Sequence, residues 1–403
     1  MRTYLHYVEH HPEEVRLVAV VEPDDLRREG VVRQFGLLPS QQFASCDDFF
    51  AAHVEADAVI ICTPENAHYE PCMAAIEKGY HILLEKPIAQ TMEQCVEIAE
   101  TARRKGVIVC LCHVLRYFPA YRKIKQIIDS GELGTIISIS HTEGVGIDRT
   151  THSYVRGQMN REKESNPMLL AKCCHDLDFF YWITGSRCRR VCSYGSLRWF
   201  REENAPEGSA HRCVDCKVEA ACPFSAVNLY LRRHEWISNF DVPEGKTIDD
   251  VILNELHRGR FGRCVYHCDN DVVDHQCLIM ELENEVTISM SMDIFTESDV
   301  RTTHIKLTGG EIRCDENHVS VSHFRSRRKD RYDFSRQMAQ PHHGGADLMM
   351  IADFIHHLRP SLPPTGGREG LGTRGALPLV DEAIESHRIC FEAEKFRVSP
   401  MQE

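Results

Sequence analysis

Three short apolar runs, "ADAVIIC" (56–62), "YHILLE" (80–85) and "VIVCLC" (107–112), recur through the first third of the chain. Between them lie amphipathic stretches that stop at glycine: 66–78 before Gly79, and Thr91 to Lys105 before Gly106, with Thr91 and Gln94 spaced as a capping box. An earlier pair reads as a strand over 17–21 and a helix over 24–35, opened by Asp24 and closed by Gly36. A continuously apolar strand has no face to show to water, so both of its faces must be covered. Such strands alternating with helices specify a parallel sheet with helices on either side.

After about residue 114 the texture changes. Helical segments over 118–129 and 168–183 precede alternating runs such as "DHQCLIMELENEVTISMSMDIF" and "HIKLTGGEIRCDENHVSVSHF", which read as antiparallel strands turning at "ENE" and "GG". Two helices, near 344–358 and 378–394, flank a Pro/Gly-rich loop, "RPSLPPTGGREGLGTRG". The fold class read from this pattern is α/β. Residues 1–114 are expected to form a nucleotide-binding domain. Residues 115–403 are expected to form an α+β domain with a mostly antiparallel sheet and a cysteine-containing insertion near 200–245.

Composition narrows the function classes. A length of 403 residues accommodates two cores. The 47 basic and 60 acidic residues give a net charge of −13, which argues against a nucleic-acid partner, and "RSRRKDR" (325–331) reads as a solvated turn. No apolar run approaches the roughly 20 residues that span a bilayer, and no signal-peptide region opens the chain, so a cytoplasmic protein without a membrane partner is expected. In that setting most of the 18 cysteines should be buried free thiols.

The chemistry gathers at strand ends, where open α/β sheets bind ligands. Glu22 closes an early strand, where its carboxylate suits the hydroxyls of an adenosine ribose and would repel a 2′-phosphate. This favours NAD, without excluding NADP. "CTPENAH" (62–68) ends the next strand and offers Thr63, Pro64, Asn66 and His68 as cofactor contacts. "LLEKPIA" (83–89) is the strongest signal. A buried strand ends in Glu85 and Lys86, and Pro87, with no amide hydrogen and a tendency to cis bonds, turns the chain at once. From such a corner Lys86 can reach both a nicotinamide and a substrate hydroxyl.

With "AVVEPD", "ICTPENAHYEPCMAAIEKGYHILLEKPIA", "HVLRYFPAYRKIKQIIDSGELGTI", "HDLDFFYWITG" and "GGADLMMIADFI", the chain resembles the Gfo/Idh/MocA oxidoreductases along its whole length. The resemblance implies a Rossmann domain, a C-terminal domain whose open sheet builds homo-oligomers, NAD or NADP, and sugar or polyol-like substrates. Members begin with a strand and a Gly-x-Gly-x-x-Gly turn, and residues 3–11 match the helix that follows that turn. The first strand and the pyrophosphate-binding loop are therefore missing from the chain as written, and a shortened or misassigned start is favoured over an evolved loss.

Lys172, His175, Asp176 and Phe179 fall on one helical stripe. The resemblance makes His175 the catalytic base, and an imidazole suits that exchange near neutral pH. Members commonly carry aspartate four residues before this histidine. Ala171 stands there instead, followed by Lys172, which if close would depress the imidazole's pKa as a further catalytic group. Substrate contacts are expected from Tyr117, His152, Arg156, Asp176, Asp271 and His275. Cys213, Cys216 and Cys222 in "HRCVDCKVEAACPF" suit a structural zinc, with Cys264, His267 or Cys268 as fourth ligand. Three functions follow in order of preference: a sugar or polyol oxidoreductase, an NAD-dependent glycosidase that oxidises the sugar transiently, and a non-catalytic relative without cofactor binding.

Overall fold

The computed structural model describes residues 2–358 and 377–399, so the Pro/Gly-rich loop expected between the last two helices lies outside the described residues. In the N-terminal region a helix, Arg2–His10, leads to β1 (Val20–Val21), which pairs in parallel with β2 (Gln42–Phe43). A second parallel sheet has the order β3 (Ala58–Ile61), β4 (His81–Leu84), β5 (Val109–Leu111). Ile82, Leu83 and Leu84 of its central strand are all fully buried, as a strand covered on both faces requires.

Helix boundaries follow local chemistry. Asp24 accepts the Arg27 N–H at 2.9 Å, and Thr91 accepts the Gln94 N–H at 3.2 Å. Gly36 and Gly106 end their helices in the left-handed region at φ +64° and +67°. The strand expected over 17–21 shortens to two residues. Among the described residues β1–β2 and β3–β5 are separate sheets, so residues 17–19 have no ladder partner. The Rossmann-like layer thus stands in two pieces.

The second region is built on eight strands: β6 (Ile136–Gly146), β7 (Cys188–Ser196), β8 (His275–Leu282), β9 (Thr287–Thr296), β10 (Val300–Leu307), β11 (Gly310–Cys314), β12 (His318–His323) and β13 (Lys329–Asp333). Their order is β13-β12-β11-β10-β6-β9-β8-β7, antiparallel throughout except for the parallel β6–β9 pair. The period-two pattern buries Leu278, Met280, Ile288, Met290, Met292 and Ile305 on one face. That face packs against the helix Met168–Thr184, while Ile137, Tyr194 and Ile279 stand exposed on the other.

The last helix, Val380–Val398, touches both regions. His387 Nε2 accepts the Ile88 N–H at 2.8 Å, just after β4, and Glu385 Oε1 accepts the Cys188 N–H at 2.8 Å on β7. The insertion folds into short turns and the helix Ile248–Arg258 around a small core of its own, with Cys213, Leu229, Tyr230, Ile252 and Leu256. No helix among the described residues is long and apolar enough to cross a membrane.

Candidate active site

Beyond the carboxyl ends of β3 and β4, two loops form one wall of a cleft of about 690 Å³ lined by Thr63, Pro64, Glu65, Asn66, Glu85 and Lys86. The opposite wall comes from the second region, through Gln158, Met159, Glu164, Ser165 and Arg260. His68 locks the two loops together, its buried ring lying between the carbonyls of Pro87 (2.6 Å) and Thr63 (3.1 Å). His68 also lines the cleft, so the expected cofactor contact both braces the two loops and borders the space. The Lys86–Pro87 bond is cis.

Lys86 crosses the cleft. Its Nζ donates to the carbonyl of Ala171 at 2.6 Å and lies 3.5 Å from Glu65 Oε1. Burial works against the ammonium, but Glu65 and other negative groups outweigh it, and the net shift of its pKa is upward. Glu65 accepts Ser165 Oγ at 3.0 Å and Asn166 Nδ2 at 3.1 Å through Oε2, joining the two walls, while its buried Oε1 makes no hydrogen bond. Glu85 accepts the Tyr4 hydroxyl.

His175 lies one helical turn beyond Ala171, outside the residues that line the cleft itself. Its Nδ1 is 3.4 Å from His113 Nδ1, at the end of β5. Burial first, then His113 and Lys86, hold its pKa well below the ordinary histidine value, so the ring is neutral at neutral pH. With Nδ1 facing His113, Nε2 is the nitrogen free to exchange a proton.

Two of the groups expected beside His175 are used elsewhere. Lys172 pairs with Glu143 of β6 at 3.1 Å and adds less to the depression of His175 than His113 or Lys86 does. Asp176, fully buried, meets Arg301 at 2.6 Å and His141 at 3.1 Å, which hold its pKa at about 2 despite desolvation. Successive helical residues project about 100° apart, so Asp176 faces the sheet while His175 faces β5.

The remaining expected contacts lie off the cleft. Glu22, at the end of β1, accepts the Asp24 N–H at 3.0 Å. Tyr117 is buried against Asp353. His152 stacks on Phe261 at 4.5 Å and meets Tyr230 Oη at 2.8 Å inside the insertion's core. Arg156 is fully buried and bonded to the carbonyls of Arg263 and Phe224. Asp271 accepts the Glu162 N–H at 2.7 Å and so braces the turn carrying Glu164 and Ser165, and His275 pairs with Asp274. Cys213, Cys216 and Cys222 are free thiols in the insertion. Sequence reasoning overlooked Glu65 and His113, although both stand just past strand ends, where the same rule of ligand binding pointed.

The cleft suits the nicotinamide end of a dinucleotide. It opens at strand ends, carries a fixed ammonium, and presents the unsatisfied Glu65 Oε1. Thr63, Asn66, Glu85 and Lys86 are the residues that would hold that end. Residues 1–113 match the family described as "Oxidoreductase family, NAD-binding Rossmann fold" (GFO_IDH_MocA), and residues 121–228 match the GFO/IDH/MocA C-terminal domain. The chain belongs to the Gfo/Idh/MocA family.

Within this Gfo/Idh/MocA chain, 237 residues are 31% identical to 2,7-anhydro-N-acetylneuraminate hydratase of Mediterraneibacter gnavus, covering 58% of the chain and 57% of that protein. Scyllo-inositol dehydrogenase from Lactobacillus casei, solved with NAD(H) and scyllo-inositol, shares the fold at TM-score 0.63 and 17% identity over 98% of this chain and 93% of that one. A super-repressor mutant of Gal80p from Saccharomyces cerevisiae gives TM-score 0.66 and 15% identity over 98% and 91%. The Gfo/Idh/MocA fold is thus common to proteins with different names and roles, and it is the site that must argue the activity.

Proposed function

We propose that this protein is an NAD-dependent oxidoreductase acting on a hydroxyl of a sugar, polyol or derivative. The observation that carries the reading is a charged Lys86 bonded to the helix of a neutral His175 at the edge of a cleft between two domains. Bound nicotinamide supplies the hydride acceptor. The Lys86 ammonium orients the substrate hydroxyl and favours the developing alkoxide, and His175 Nε2 takes its proton. The wall from Glu164 to Ser165, tied to Glu65, limits the access of water. The dehydrogenase solved with NAD(H) and scyllo-inositol supports this reading by fold.

The test is reduction of NAD with a panel of inositols, hexoses and sugar acids, followed by NADH absorbance. Absence of turnover together with absence of NAD and NADH binding would instead favour a non-catalytic role. A glycosidase using transient oxidation is the second reading, supported by Ala171 at the usual aspartate position and by the hydratase relative. Glycoside cleavage without net NADH would identify it. Self-association is assigned to the open sheet face carrying Ile137, Tyr194 and Ile279, with light scattering as its check.

A further inference from the structure

We infer that the insertion binds one structural zinc ion through Cys213, Cys216, Cys222 and Cys264. Cys213 and Cys216 bracket a single tight turn in which the Cys216 N–H donates to the Cys213 carbonyl at 3.3 Å. Cys264 joins them through the backbone. Arg212 and Arg263 form an antiparallel bridge, and the Cys264 N–H donates to His211 O at 2.9 Å, which places Cys264 opposite His211 and diagonal to Cys213 across the bridge. Two further turns carry the chain from Cys216 to Cys222, through Glu219 N–H to Cys216 O at 3.3 Å and Cys222 N–H to Glu219 O at 3.0 Å, and Arg156 Nη2 holds the Phe224 carbonyl beside Cys213 Sγ.

His267, the alternative ligand, is turned toward Ser209 and Glu202. Cys268 gives its thiol to the Cys264 carbonyl at 3.2 Å.

The independent observation is Arg156. Its guanidinium is 0% exposed, it lies 3.8 Å from Cys213 Sγ, and its other bonds go to the carbonyls of Arg263 and Phe224. Nη1 has no hydrogen-bond partner, and among the described residues no carboxylate pairs with this cation. A buried positive charge without an opposite charge is strongly disfavoured. Four thiolates around one divalent zinc carry two net negative charges, which is the counter-charge this site lacks. No three of these thiols lie within 4.8 Å of one another. Zinc, which bonds each sulfur at about 2.3 Å, therefore draws the turns inward on binding.

The test uses the full chain, purified without chelator from zinc-supplemented medium. About one zinc per chain is expected, with Cys216→Ser and Cys222→Ser falling below about 0.2 and Cys268→Ser unchanged. Because a variant can fail by misfolding, the unmutated chain is also depleted and reloaded with cobalt(II), which should give thiolate-to-cobalt charge transfer and the visible bands of a tetrahedral site. Wild-type zinc below about 0.1 per chain with no cobalt spectrum overturns the site. Full zinc in a folded Cys264→Ser overturns the fourth ligand, and iron with broad visible absorption overturns the choice of metal.

Discussion

The Lys86 ammonium donates to the Ala171 carbonyl at 2.6 Å, fastening the corner after β4 to the helix that carries His175. The two chemical groups therefore share one mechanical anchor across the domain boundary. His175→Ala is expected to lower kcat by about 10²–10⁴-fold, the usual worth of a positioned base, while leaving NAD affinity within a few-fold. Steady-state kinetics beside NAD titration and circular dichroism check this, and undiminished kcat in folded His175→Ala would remove the histidine from the mechanism.

His175 is held neutral by burial, by His113 and by Lys86. The acid limb of the oxidation rate is therefore expected well below pH 6.5, since a base is lost only when it is protonated. Lys86→Met removes one repelling charge and should move the imidazole's pKa upward, toward the ordinary value. NMR titration of labelled histidine reads this directly and does not depend on turnover.

Burial depresses other histidines as well, His113 and His152 to about 4 and His387 to about 3. Unfolded, each binds a proton near pH 6.5; folded, each stays neutral until pH 4 or below. Between those limits the unfolded state holds more protons, so stability is expected to be full above about pH 6.5 and to fall as pH drops toward 4. Denaturant midpoints measured from pH 7.5 to 4.5 test the slope. His387→Gln should flatten it if the ring's hydrogen bond to Ile88 is retained by the amide.

Arg116 and Asp178 form a bidentate pair, with both contacts at 2.8 Å and both side chains buried, and Glu382 adds a third contact at 3.0 Å. Arg116→Leu strands a buried carboxylate and is expected to cost about 3–5 kcal/mol. Replacing Asp178 by Leu as well should recover much of that loss. A double-mutant cycle by urea unfolding measures both effects.

Elements that depend on local pattern were legible. The apolar runs around β3, β4 and β5, the caps at Asp24 and Thr91, and the alternation of β8 and β9 lie within a few residues of their expected limits. The corner at Lys86, which borders the cleft, was legible because a buried strand that ends in lysine and proline is informative without any partner. The ion pairs of Lys172 and Asp176 were not legible because their partners are remote in sequence: Glu143 is on β6, and Arg301, 125 residues from Asp176, is on β10. Helical spacing alone gave a stripe without saying which edge meets the sheet. Arg156 and His152 were assigned to a sugar because a polar residue's burial in the insertion's own core is invisible in one dimension.

The helix Val380–Val398 has a consequence for selectivity. Hinged enzymes commonly shut around their substrates, but here one rod is keyed to the corner after β4 through His387 and to β7 through Glu385. A clamshell motion would have to break both bonds at once. Two hydrogen bonds thus brace from behind the aperture between Lys86 and Ser165, and a ligand that enters it meets a width set in advance.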